Sequence, residues 1–350
     1  MKLLFNLDET ERILFVNDIH IARERLHDFQ LNWGEAIDIC KKRKIKYIVV
    51  GGDLFEARHS QSLAVLTTVM SAIEASFRFG IHVVLANGNH DKVNQEDEVG
   101  YCHIFKHHPN VIVVDDWRYI QTPESNIFIL AYFPETGSLP DKLRDIENSD
   151  VFNNGKRNVL YAHAGVMGGL DTENKKEASK EEFSAFDVVY MGHYHDRKHI
   201  SGSNIYYIGS SRQYNYGEDT EKGYNICNSL GELEFIANKV NSKYVTVPVN
   251  FKDLDNAESI VNEVKLEHGG GCLIKFKISV DSKNKGNVDK QFLLDAGVNR
   301  IEIENVVEQK ESVNSSFYKR YNKEQIVDTY SEYCNNINVS DKLGIKYING

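Results

Sequence analysis

The chain has 350 residues, 41% hydrophobic and 26% charged, enough to build a sizeable core without covalent staples. A formal net charge of −10 argues against a protein that coats nucleic acid by bulk electrostatics, and no run of about 18 apolar residues is present to span a bilayer. Five scattered cysteines with no Cys-x-x-Cys pair argue against a structural zinc and a disulfide framework. With no basic-then-apolar leader at the N-terminus, the expected location is the cytoplasm.

In chain order, residues 11–16 read as a strand ending on Asp18-Ile19-His20. Residues 31–44 read as an amphipathic helix, with Trp33, Ala36, Ile37 and Cys40 on one face. A short β-branched strand, 47–50, delivers Gly52-Asp53. The helical run 60–79 spaces Leu63, Leu66, Met70, Ile73 and Phe77 by alternating steps of three and four, which suits either a dimer contact or packing on a sheet. Strand 81–85 delivers Gly88-Asn89-His90-Asp91, and strands 111–114 and 127–132 flank the turn-rich segment 122–126. Strand 159–162 leads to His163, a charged solvated loop covers 171–180, and strand 187–191 leads to Gly192-His193-Tyr194-His195. Strand 205–208 then runs into residues 209–217, a Gly- and Ser-rich turn.

Near residue 240 the pattern changes. A strand (244–249), a polar helix (253–266), a triple-glycine turn, a strand (273–280), a helix (288–294) and a strand (300–306) make a small α+β module. The triple glycine lacks a following Lys-Ser/Thr and is not a phosphate loop. A polar linker, 308–316, precedes a helix with Ile326, Val327, Tyr330, Tyr333 and Cys334 in its apolar stripe. The expected domains are 1–240, 241–307 and 308–350.

Asp18, His20, Asp53, Asn89, His163, His193 and His195 follow strands in an ordered series. Carboxylate, amide and imidazole donors without thiolate suit two divalent ions of the Mn, Fe or Zn kind. Such a pair activates water and binds phosphate oxygens for in-line attack on a phosphate ester. Asp53, alone in its motif, is the candidate bridge. His90 follows a ligand directly and is suited to act as a general acid or transition-state clamp. Glu56, three residues beyond Asp53, is the candidate to orient and charge His90. Arg58 and His59 are candidate substrate contacts. The other histidines, His199 among them, lack motif context and read as surface or structural.

Residues 1 to about 235 resemble the calcineurin-like metallophosphoesterases. The match is carried by Gly52-Asp53-Leu54-Phe55, Gly88-Asn89-His90-Asp91 and Gly192-His193-Tyr194-His195. The segments Ile208-Gly209-Ser210-Ser211-Arg212, Tyr216-Gly217-Glu218 and Lys222-Gly223-Tyr224 narrow the resemblance to nuclease subunits of the SbcD type, especially the short phage and bacterial form. The resemblance implies a four-layer α/β/β/α sandwich with a small α+β capping domain and a C-terminal helix. It implies two divalent ions, Mn²⁺ first and Mg²⁺, Fe²⁺ or Zn²⁺ as alternatives. One would be held by Asp18, His20, Asp53 and His195, the other by Asp53, Asn89, His163 and His193. DNA, an SbcC-type ABC ATPase and a second copy of the chain are the implied partners, with no membrane. A glutamate at position 56, where archaeal and eukaryotic relatives carry histidine, favours the bacterial and phage branch. A small-nucleotide phosphodiesterase would use the same site, and a non-catalytic scaffold is the remaining alternative.

Overall fold

The computed structural model describes residues 2–170, 176–281, 287–305 and a few positions between 330 and 346. Residues 171–175 of the charged loop, the linker 308–316, and Ile326 and Val327 of the C-terminal stripe lie outside the described residues.

The N-terminal strands are β1 (Leu3–Asn6), β2 (Ile13–Val16), β3 (Tyr47–Gly51), β4 (His82–Ala86) and β5 (Val111–Val114). The middle of the chain adds β6 (Trp117–Gln121), β7 (Ser125–Leu130), β8 (Arg157–His163), β9 (Val188–Gly192), β10 (Lys198–His199) and β11 (Ile205–Tyr207). After these come β12 (Gly223–Cys227), β13 (Leu233–Ala237), β14 (Tyr244–Asn250), β15 (Leu273–Val280) and β16 (Arg300–Asn305). The helices are α1 (Leu26–Arg43), α2 (Leu63–Arg78), α3 (Leu139–Glu147), α4 (Ala257–His268) and α5 (Lys290–Asp295).

Two mixed sheets are built from these strands. One has the order β1-β6-β7-β8-β9-β11-β10, the other β13-β12-β2-β3-β4-β5. The strands β2 to β5 run parallel, as do β7, β8, β9 and β11. Their sequences are continuous apolar runs, as expected of parallel strands covered on both faces. Between the sheets, Phe15, Val49 and Val84 pack with Ile127, Ile129, Tyr161 and Val188. On the outside, Leu14, Ile48 and Val83 meet Trp33 and Ile37 of α1 and Val65 and Ile73 of α2. The other outer face sets Phe128 and Leu160 against Leu139, Leu143 and Ile146 of α3. These four layers are the α/β/β/α sandwich.

Several elements depart from expectation. α1 begins at Leu26, following a short 3-10 turn at Arg23–Arg25, and not at residue 31. β1, β6, β12, β13 and α3 had no expected counterpart. β12 is wholly buried because it pairs on both sides, with β2 and β13, although Asn225 interrupts its apolar run. α3 carries an apolar stripe and opens with proline in its first turn.

Downstream, β14, β15 and β16 form a small separate sheet. β15 alternates half-buried and buried residues, the mark of a sheet covered on one face. By its contacts the chain divides into two units: Met1–Ile278 with Asp289–Ile303, and Ser279–Val288 with Glu304–Gly350. All five cysteines are buried and free. Among the described residues, no helix is long and apolar enough to cross a membrane.

The two large sheets are stitched where the parallel strands end. The Tyr161 hydroxyl, at the end of β8, donates to the Gly51 carbonyl of β3 at 2.8 Å. A methyl at Gly51 would meet the Tyr161 ring at 2.2 Å, and that ring is fully buried with no room to retreat. Gly51→Ala is expected to destabilise the fold by about 1–3 kcal/mol, the usual range for forced overpacking, read from denaturant unfolding midpoints.

Candidate metal centre

Each motif leaves its strand at the carboxyl end. Gly51 of β3 pairs with Ala86 of β4, and His163 of β8 with Gly192 of β9, so the exits line up within each sheet. The chain turns sharply there. Asp18, His20, Asp53 and His193 all take positive φ, at 47°, 47°, 52° and 94°. Such left-handed backbone costs about 1–3 kcal/mol per residue and persists only where surroundings hold it.

The holding contacts are local and dense. The His20 amide donates to the Asp53 carbonyl at 2.9 Å, and the Asp18 amide to the Gly52 carbonyl at 3.3 Å. The His193 amide donates to Asp18 Oδ1 at 3.0 Å, and the His90 amide to Asp53 Oδ1 at 2.8 Å. Asp91 lies buried beneath, accepting from the amides of Gly88 (2.7 Å), Phe55 (2.9 Å) and Leu54 (3.3 Å). It thereby ties the Asp53 loop to the Asn89 loop. Buried Arg212 donates to the carbonyls of Ile19 (3.0 Å) and His20 (3.3 Å). Two motif glycines are demanded by space: a methyl at Gly88 would strike Asp53 Oδ1 at 2.2 Å, and one at Gly52 would strike His163 Nδ1 at 2.4 Å.

The structure brings all seven expected donors into one cluster. Asp18, His20 and His195 offer atoms within 4.8 Å of one another, and so do Asp53, His163 and His193. Asn89 Oδ1 lies 3.0 Å from His163 Nε2 and 3.1 Å from His193 Nδ1. Asp53 spans both groups, with Oδ2 3.5 Å from His20 Nε2 and 3.3 Å from His163 Nε2.

This donor set fits divalent cations. His195 Nδ1 donates to Glu218 Oε1 at 2.9 Å, which leaves Nε2 with a lone pair. Glu56 Oε2 sits 2.8 Å from His20 Nδ1 and favours the same arrangement there. The two Nε2 atoms are 3.0 Å apart, a repulsive pair unless a proton or cation lies between them. Asp18 Oδ2 is buried without a hydrogen-bond donor. The Asn89 amide serves either state. As it stands, its oxygen faces the imidazoles and is available to a cation. Turned over, its nitrogen would donate to those imidazoles and to Asp53, while its oxygen would accept from Arg58 at 2.7 Å.

Electrostatics without a cation point the same way. Burial opposes ionisation of Asp53, but the charges of His163, His20 and His90 outweigh it and hold the carboxyl well below its usual range. Burial would likewise depress His163, yet Asp53 raises its pKa above the ordinary imidazole value. His193 is pushed down to about 3 by burial and by neighbouring His163.

One expected contact is corrected. The Glu56 carboxylate faces His20, and it is the Glu56 main-chain carbonyl that accepts from His90 Nδ1, at 2.7 Å. Position 56 sits where the chain turns back beside residue 21, its amide bonded to the Ile21 carbonyl at 3.2 Å. That turn aims the side chain at His20. His90 Nε2 therefore carries the lone pair, and exposed Arg58 lies 2.8 Å from it. Burial lowers the His90 pKa, in keeping with a neutral ring. Glu218, the carboxylate behind His195, lies in a segment that carries the family resemblance, yet residue order alone assigns it no chemistry. Its neighbour Lys222 is buried and donates to the His195 carbonyl at 2.7 Å.

Buried carboxylate and imidazole donors gathered at the ends of two parallel-stranded sheets define a metal-dependent hydrolase of phosphate esters. The chain belongs to the calcineurin-like phosphoesterase family, whose profile matches residues 11–197. It is similar to the D subunit of the nuclease SbcCD from Staphylococcus saprophyticus, with 22% identity over 263 residues, 67% of this chain and 68% of that one. A dimetal phosphatase structure from Danio rerio aligns at 12% identity and a TM-score of 0.39, covering 63% of this chain and 93% of that one. The nuclease MPE from Pseudomonas putida aligns at 15% identity and a TM-score of 0.25, covering 46% and 66%. With scores this low, neither structure bears on the chemistry.

Two outcomes are expected. Glu218→Gln and Glu56→Gln should each weaken metal binding by about 10–100-fold, the usual effect of removing a carboxylate behind a ligating histidine. Metal titration of the purified variants reads this. A Glu56→Gln variant with unchanged affinity and reduced turnover would instead return Glu56 to His90. Because His163 is protonated at neutral pH in the metal-free site and a ligand must be neutral, metal affinity should rise with pH and binding should release protons. Calorimetry in buffers of different ionisation enthalpy counts those protons.

Proposed function

We propose that the protein is a Mn²⁺-dependent DNA nuclease, hydrolysing phosphodiester bonds as the nuclease component of an SbcCD-like recombination and repair complex in the cytoplasm. The observation that carries this reading is the alignment with the D subunit of SbcCD, whose 263 residues exceed the segment 11–197 covered by the family profile. Asp18, His20, Asp53 and His195 would hold one ion, and Asp53, Asn89, His163 and His193 the other. When bound, the two ions would supply an activated water and neutralise charge on the phosphoryl oxygens.

The protein's own groups then have distinct tasks. Asp53 spans both donor groups and keeps them in register. Glu218 fixes the tautomer of His195 by a hydrogen bond, and the Glu56 carboxylate beside His20 Nδ1 favours a proton on that nitrogen. Exposed Arg58 would take a non-bridging phosphate oxygen, which frees the His90 Nε2 lone pair to accept a proton from solvent and pass it to the leaving oxygen. The His90 ring keeps its aim through the Glu56 carbonyl throughout. Outside the site, Leu63, Met70 and Phe77 of α2 are exposed at 76%, 37% and 49%, which supports a homodimer built on this helix. The SbcC-type ATPase would bind the C-terminal segment 308–350, and residues 241–307 would form the capping domain.

The test incubates the protein with Mn²⁺ and either end-labelled duplex DNA or a small phosphodiester, with and without the ATPase partner. Cleavage of DNA is expected, and His90→Ala should lower it by about 10²–10⁴-fold while metal stays bound. Activity on the small ester alone, even with the partner present, would replace the nuclease by a small-nucleotide phosphodiesterase.

A further inference from the structure

Away from the donor cluster, the free edges of the two large sheets leave a groove of about 490 Å³, between β10 and β11 on one side and β12 and β13 on the other. That volume lies within the ~300–1,000 Å³ of ordinary ligand clefts. Its walls include Arg157, Tyr190, Arg197, Lys198, His199 and Tyr206, and among the described residues no Asp or Glu lines it. In a chain of net charge −10 this is a local reversal of sign.

The two arginines are presented rather than spent in tight ion pairs. Arg157 donates to the Leu230 carbonyl at 3.2 Å, and Arg197 meets a carboxylate, Glu221, only at 3.9 Å. Flat surfaces lie between them. His199 and Tyr206 stack at 4.4 Å with an interplanar angle of 18°, and Tyr206 is 40% exposed. The Arg197 guanidinium lies over Phe235 at 4.0 Å from the ring centroid. Guanidinium groups that track a backbone, set beside rings on which bases stack, are the parts used to hold single-stranded nucleic acid. A duplex hides its base faces and would gain nothing from the rings.

The groove lies next to a cavity that reaches the metal centre. A second cavity, of about 550 Å³, opens on His193 and His195, and Lys198 lines both. Lys198 is three positions beyond His195, a reach of at most ~10 Å.

We propose that this edge groove is a single-stranded DNA-binding site that holds the strand running to or from the metal centre. Arg157 and Arg197 take its phosphates, and the His199–Tyr206 pair stacks one of its bases. The proposal rests on the nuclease reading and adds to it a substrate form, an unpaired strand, and a path.

The test uses the full-length protein and a short fluorescein-labelled oligothymidine. Tyr206→Ala is expected to weaken binding roughly five- to a hundredfold, the range measured for losing one base–aromatic stack. Arg157→Glu should weaken it and also flatten its salt dependence by about one unit of slope, whereas Arg157→Lys should retain both. Mn²⁺-dependent hydrolysis of a small phosphodiester, and the unfolding midpoint, should be unchanged in all three variants. If the variants bind and cut the oligonucleotide as the parent does, the groove assignment fails and the nuclease reading stands. If the parent cuts duplex DNA but neither binds nor cuts the oligonucleotide, the groove assignment fails and the nuclease reading stands; if it hydrolyses the small diester but cuts neither DNA form, even with the ATPase partner, the nuclease reading fails and takes the groove with it. Tyr206 is an exposed ring, so its truncation keeps the test decisive should Arg157→Glu disturb the packing beside Leu230.

Discussion

Everything at the centre depends on how closely two sheets approach at the carboxyl ends of their parallel strands. Donors that follow β2, β3 and β4 must meet donors at the end of β8 and after β9, and a sandwich normally keeps its sheets about 10 Å apart. The gap is closed at one point, where Tyr161 reaches across to Gly51 and the glycine lets the ring lie against bare backbone. Immediately beyond it the loops interlock: Gly52 admits His163, Gly88 admits Asp53, and the Asp18 carboxylate caps the His193 amide. Gly51 and Gly88 owe their place to the removal of a methyl that would hold the two donor groups apart, while Gly52, at a φ of 113°, is required by its backbone as well.

The same closeness explains the strain and the charges. Four donor-bearing residues hold left-handed backbone, and each lies within a lattice of main-chain bonds contributed by a different loop. The lattice supplies stability that the local conformations lack. Its polar content then creates an electrostatic problem. Two imidazole Nε2 atoms 3.0 Å apart, a carboxylate oxygen with no donor, and an Asp53–His163 ion pair form a cluster that is tolerable without metal and better satisfied with it. The carboxylates behind the rings settle which nitrogen faces inward. Glu218 and Glu56 lie on opposite sides of the His20–His195 contact, so both rings are turned towards the same interior point. His90 is treated differently. A neutral carbonyl holds its Nδ1, which orients the ring without adding negative charge and leaves its basicity to respond to Arg58 and to whatever Arg58 binds.

Much of this was legible in the chain itself, for an identifiable reason. The donors sit at strand ends, and strands buried on both faces announce themselves as apolar runs, so β2, β3, β4, β8 and β9 and the motifs behind them could be read together. What failed were features set by tertiary position. β12 carries a polar Asn225, and only its place between β2 and β13 makes it a core strand. The partner of Glu56 turned on a single rotation of the backbone beside Ile21, which residue spacing cannot report. Glu218 lies 23 positions beyond His195, and nothing in that separation singles it out; the nearby Lys222, an uncommon buried lysine, is equally silent until its bond to the His195 carbonyl is seen. His199 read as a surface residue, and it is exposed; what the sequence did not show is that the β10–β11 hairpin stacks it on Tyr206.

An acidic chain that acts on phosphate esters must keep its repulsion away from the substrate. Bulk charge sets the long-range field, which salt screens beyond about 10 Å, whereas contact groups act inside that distance. The arrangement here divides along that line. Each divalent cation that enters the donor cluster adds two positive charges, so metal loading moves the potential that a phosphate meets at the centre towards the positive. Arg58 then stands as the first fixed cation at its exposed side, and the arginines of the edge groove lie beyond the second cavity. A loaded centre would therefore hold a phosphate more strongly than a metal-free one. Substrate capture and metal occupancy become coupled through charge alone, with no conformational change required.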